Sequence, residues 1–141
     1  MTAPSSYRLS FHVSHPEISA DAIGSNFAFP VRYARSAGEA RVTRAGKSLG
    51  GTYATTEVSF DISGGVASAE EAPLVELLQR SLAQLPLGQV KELVRTKGEC
   101  FFLVGIYSES NMLVYFTAEV LAALGAVSVG LKLDFYGGEE A

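Results

Sequence analysis

The chain has 141 residues, 48% hydrophobic and 18% charged, with a net charge of −4. That balance belongs to one globular domain with a real core and not to a disordered segment. It argues against a general nucleic-acid binder, which needs a basic surface to meet phosphates.

Cys100 is the single cysteine, so no internal disulfide can form and a reducing, cytoplasmic setting is expected. No apolar run is long enough to span a bilayer, so no membrane partner is expected. Residues 1–6 lack a basic region followed by an apolar one and read as a tail rather than a secretory signal.

Tyr7, Leu9, Phe11 and Val13 alternate with Arg8, Ser10, His12 and Ser14, the period-two pattern of a strand, and Pro16 ends it. Ile18 then precedes Ser19, which can cap a short helix over 20–27. From 30 to 51 the pattern dissolves among Gly38, Gly46, Gly50 and Gly51, and most of this stretch reads as loop, with a short edge strand at 41–45. Val58, Phe60 and Ile62 alternate with Glu57, Ser59 and Asp61 in a second clear strand, ended by Ser63-Gly64-Gly65.

A helical region starts at Ser68 or Ala69, with Pro73 in its first turn and Leu74, Leu77, Leu78, Leu82 and Leu85 on one face. A second short helix is expected over 87–97, with Val90, Leu93 and Val94 on its apolar side. Residues 100–107, Cys-Phe-Phe-Leu-Val-Gly-Ile-Tyr, are apolar on both alternations, as in a strand covered on both faces. Turn formers follow at 108–111. Thr117 is placed to cap a helix over 118–124, and Gly125 to end it. Val127, Val129, Leu131, Leu133 and Phe135 alternate with Ser128, Gly130, Lys132, Asp134 and Tyr136, a strand with one buried and one polar face. Residues 137–141 read as a C-terminal tail.

Ile18-Ser19-Ala20-Asp21-Ala22-Ile23 and Phe116-Thr117-Ala118-Glu119-Val120-Leu121 share an order of apolar residue, hydroxyl cap, Ala, acid and aliphatic. Each follows a strand. A duplicated strand–helix unit is one reading, and ordinary capping chemistry repeated is the other. The expected fold over 7–136 is α+β: a mostly antiparallel mixed sheet of about five strands with helices packed on one face, ferredoxin-like arrangements included.

Four pieces carry a family resemblance. They are Tyr7-Arg8-Leu9-Ser10-Phe11-His12-Val13, Ile18-Ser19-Ala20-Asp21-Ala22-Ile23-Gly24, the Arg- and Gly-rich segment 30–46, and the run from Phe116 to Ala126 with the alternating strand after it. Through these the chain resembles the bacterial family called domain of unknown function 4279, over nearly all of 7–136. That family typically has a tryptophan in its middle strand. Here there is none, and Tyr53 or Phe60 would stand in its place. The resemblance implies an α+β sheet domain and brings no established catalytic residues. It leaves room for an immunity-like or regulatory role that the residues themselves do not derive.

The chemistry-bearing residues are sparse. His12 and His15 with Glu17 and Asp21 lie close in sequence, but a zinc site needs three or four converging ligands, and exposed polar residues at a strand end explain them better. Cys100 opens a very apolar strand, so a buried structural thiol is expected rather than a nucleophile. Gly46-Lys47-Ser48 lacks the glycine that a phosphate loop requires five residues earlier, where Arg41 stands. No cofactor is expected.

Two features remain. Arg32, Arg35, Arg41, Arg44 and Lys47 give segment 32–47 a basic bias that could clamp an anion or an acidic partner, unless the protein's own Glu39, Glu70 and Glu71 satisfy it. The second face of the sheet should carry His12, Lys132 and Asp134. The central strand adds either Phe102, Val104 and Ile106 or Phe101, Leu103 and Tyr107 to it, and the first set is taken as the contact stripe. The leading expectation is a non-enzymatic interaction or ligand-binding domain that self-associates through this face as a homodimer, with an unidentified protein or a small anion as further partners. The alternatives are a small enzyme working with His12, Asp61 and Asp134, or an anion-binding domain built on the basic segment.

Overall fold

The computed structural model describes residues 5–69 and 72–137. In chain order these form β1 (Ser6–His15), α1 (Ala20–Gly24), β2 (Val31–Arg35), β3 (Ala40–Val42), β4 (Ser48–Thr52), β5 (Thr56–Asp61), β6 (Ala67–Ser68), α2 (Leu74–Ala83), α3 (Leu87–Arg95), β7 (Glu99–Ser108), α4 (Ala118–Ala126) and β8 (Val129–Gly137). The expected α+β class holds, with helices and a mixed sheet around one core. The tails expected at 1–6 and 137–141 lie mostly outside the described residues, as do Glu70 and Glu71. Ser6 and Gly137 belong to strands.

The main sheet runs β2-β5-β1-β7-β8, with β6 beside the start of β1. Every neighbouring pair on that path is antiparallel except β7 and β8, which run parallel. Since β5 lies antiparallel to both, β1 and β2 run in the same direction. The order β1-α1-β2-β5-helices-β7 is therefore the split βαβ arrangement of ferredoxin-like sheets, extended by α4 and β8. The two similar strand–helix pieces occupy related places. Each leads from a central strand through a capped helix to a strand parallel to the first, and β1 and β7 lie side by side. Ser19 Oγ accepts from the Ala22 N–H and Thr117 Oγ1 from the Val120 N–H, both at 3.2 Å.

All four helices pack on one face. There Tyr7, Leu9, Phe11 and Val13 of β1, Val58 and Phe60 of β5 and Phe102, Val104 and Ile106 of β7 meet Ile23, Leu78, Val90, Leu93, Val120 and Leu124. Phe11 is the hub, with ring centroids 5.0 Å from Phe102, 5.5 Å from Phe27 and 6.2 Å from Phe60. His15 is buried at the end of β1. Its Nδ1 accepts from the N–H groups of Glu17 and Ile18 at 2.9 and 3.0 Å, so Nε2 carries the proton and donates to Thr96 Oγ1 at 2.8 Å. It ties the turn after β1 to the C-terminal end of α3.

Three local expectations change. Residues 31–35 form a strand rather than loop, and the glycine-rich stretch beyond them is a hairpin, β3–β4, with Gly46, Gly50 and Gly51 at positive φ. Ala67 and Ser68 pair with β1, so the helix begins only at Leu74, after Pro73. Gly125 lies inside α4, and the left-handed residue past that helix is Ser128, at φ 60°.

Candidate functional site

The pairing of β1 with β7 decides which half of the apolar strand faces away from the helices. Phe11 stands opposite Phe102 and His12 opposite Phe101. Phe102, Val104 and Ile106 are thus core residues, none more than 2% exposed, and the contact stripe expected from them does not exist. Residues facing each other across a ladder share a face, and Phe11 faces the helices. The open face carries half-buried Phe101, Leu103 and Tyr107 instead, among Arg8, Ser10, His12, Glu57, Ser59, Lys132, Asp134 and Tyr136.

On that face lies a cleft of about 540 Å³, a volume suited to a small molecule. Its lining includes His12 and Ser14 of β1, Phe101 of β7, Lys132 of β8, Glu57 and Ser59 of β5, and Arg32 and Tyr33 of β2. Arg44, from the turn of the β3–β4 hairpin, completes it. The His12 ring lies flat against Phe101, centroids 5.1 Å apart and planes within 2°. The Lys132 ammonium sits 3.8 Å from the same ring's centroid. His12 Nε2 shares a hydrogen bond of 2.8 Å with Ser10 Oγ.

Burial pushes the His12 pKa below its ordinary value, and the positive fields of Lys132 and Arg32 push the same way against the weaker pull of Glu57. Arg32, Arg44 and Lys132 thus line one cleft with an imidazole whose charged form is disfavoured. Two acids also line the cleft, Glu57 and Glu99, and Glu57 is engaged by Arg35 at 3.1 Å.

The basic segment is divided by the fold. Arg32 and Arg44 reach the cleft. Arg35 is held by Glu57 and stacks its guanidinium 4.6 Å over Tyr53. Arg41 lies exposed in β3 and Lys47 in the β3–β4 turn, and neither lines the cleft. Of the expected sheet-face residues, His12 and Lys132 line it. Asp134 lies farther along β8 and accepts from the Tyr136 hydroxyl at 2.6 Å.

The acid–base trio is not assembled there, since the cleft holds His12 but neither Asp61 nor Asp134. The hydroxyl on His12 belongs to Ser10, which is 3% exposed, so a substrate in the cleft cannot reach it as a nucleophile. His12 and His15 point to opposite faces of β1, and no group of three or more metal-ligating side chains occurs among the described residues. The Cys100 thiol is buried, and burial, with a smaller contribution from Glu99, pushes its pKa up to about 12. Gly46-Lys47-Ser48-Leu49-Gly50 also has the Gly-x-Ser-x-Gly spacing of a nucleophile elbow. Ser48 opens an exposed hairpin strand with no helix after it, so neither an elbow nor a phosphate loop forms.

Sequence reasoning offers Phe101 only in the second of two possible stripes, and it misses Tyr33 and the joining of Lys132 to Arg32 and Arg44. The signal for Phe101 was its placement opposite a polar alternation in β1. The joining depends on strand order, which no local pattern carries. No family model matches the chain, and no curated protein or solved structure matches it either.

Proposed function

We propose that this chain is a binding domain for a small organic anion, a carboxylate or a phosphate ester, held on the open sheet face between Arg32, Arg44 and Lys132. The carrying observation is the convergence of three cations from β2, the β3–β4 turn and β8 on one concave site, in a protein whose net charge is −4. Guanidinium forks match both oxyanions bidentately, and a local reversal of sign attracts the ligand from solution. Tyr33 offers an aromatic wall to a flat ligand body, while the Phe101 ring, covered by His12 and Lys132, holds those two side chains in place. The reading is one of binding rather than turnover, because the hydroxyl beside His12 is buried. A cytoplasmic setting, supported by the buried lone thiol, and kinship with domain of unknown function 4279, supported by the quoted strand–helix pieces, belong to the same proposal.

Thermal shift and calorimetry with inorganic phosphate, benzoate and phenyl phosphate test it. A ligand at one hundred times its dissociation constant should stabilise the fold by about 2.7 kcal/mol. The shift should shrink with added salt and vanish in the Arg32→Ala/Arg44→Ala double variant. Neither shift nor heat with any of the three probes would overturn the reading.

A further inference from the structure

We infer that β8 is the seam of a two-fold symmetric homodimer, joining two copies edge to edge into one continuous sheet. The two outer edges of the main sheet differ. β2 is short, and its register shifts between Val31 and Tyr33, an irregularity that discourages further pairing. β8 is nine residues long, keeps unbroken register with β7 from Val129 to Gly137, and contains no proline. Among the described residues it is the last strand on its side of the sheet, and it exposes Leu133, Phe135 and Tyr136 at 42%, 68% and 43%. A long, regular, partly apolar edge of this kind is a template for another strand.

The sequence of β8 identifies that strand as its own copy. An isologous antiparallel pair places residue i opposite residue j with a constant sum, centred on one residue that faces itself. Leu133 is the middle of β8, and centring there overlaps the whole strand. Lys132 of each copy then faces Asp134 of the other, twice over. Leu131 faces Phe135, Leu133 meets Leu133, and bulky Tyr136 falls opposite Gly130 rather than another large side chain.

The neighbouring registers fail. Centring on Lys132 sets Lys against Lys, and centring on Asp134 sets Asp against Asp; like charges directly opposite destabilise a strand pair. A lysine on an edge strand ordinarily prevents pairing. Here one register alone converts it into an attractive contact, so the same pair of charges selects both partner and register.

Sedimentation and light scattering over a dilution series, with charge-swap variants, test the inference. The wild-type chain should approach twice its monomer mass as concentration rises. Lys132→Asp and Asp134→Lys should each weaken the dimer about ten-fold or more, because each turns two attractive pairs into two repulsive ones. An equimolar mixture of the two single variants should regain the dimer mass, since each copy then meets its opposite charge. That recovery also shows that both variants are folded. A wild-type monomer at every concentration overturns the inference, as does a dimer indifferent to the swaps or a mixture that stays monomeric.

Discussion

His12 is the residue on which the cleft's chemistry turns. Its ring is fixed between Phe101 and Ser10, and its surroundings oppose the charged form. The consequence for stability has a definite sign. Above its ordinary value of 6.5 the ring is neutral in the folded and unfolded chain alike, so it contributes no pH dependence. As pH falls through 6.5, the unfolded chain takes up a proton that the folded one resists. Stability then falls until pH drops below the lowered folded value. Urea midpoints measured from about pH 8 to pH 5 should therefore decline less in His12→Gln than in the wild type. Equal declines would show that the imidazole is not held neutral by the fold. A bound anion offsets the fields of Lys132 and Arg32, so it should raise the His12 pKa and be accompanied by proton uptake.

At the scale of elements, what was legible in the sequence follows burial. β1, β5, β7 and α2 were readable because each has a face that must be dry, and water exclusion imposes the period. β2 and β4 were not, and β3 only as a short edge strand at 41–45, because none of their residues is buried; hydrogen bonding and turn glycines hold them, and neither leaves a hydrophobic period. The two-sided apolar run of β7 marks a strand but not its phase; the pairing of Phe11 with Phe102 sets that phase and turns Phe102, Val104 and Ile106 inward. Arg32 and Arg44 were visible as basic residues, but their meeting with Lys132 is a product of sheet order. The turn from α3 into β7 gives a test at this scale. Lys97 takes φ 77°, and Gly98 then passes so close to its neighbours that an added Cβ would lie 2.7 Å from the Leu93 carbonyl oxygen and 3.0 Å from that of Ser14. Two backbone atoms cannot give way cheaply, and the third neighbour is His15, already fixed by three hydrogen bonds. Gly98→Ala should cost about 1–3 kcal/mol in urea unfolding, and an unchanged midpoint would mean that the turn is looser than it stands.

At the scale of the whole molecule, the cleft and the proposed seam share a residue. Lys132 lines the anion site and, across the two-fold, would face Asp134 of the second copy. A carboxylate brought up to that ammonium reduces the positive potential available to a ligand, so dimer formation should weaken anion binding. By reciprocity, a saturating anion must weaken the dimer by the same factor. These are exposed charges in a screened setting, which bounds the coupling at about 1 kcal/mol, a factor of roughly five, and makes it fade with salt. Sedimentation with and without saturating phenyl phosphate, at low and high ionic strength, reads that factor directly. The dissociation constant should rise with ligand at low salt and converge with the ligand-free value at high salt. If ligand instead tightens the dimer, the bound anion must itself bridge the two copies, and Lys132 is not a residue for which the two equilibria compete.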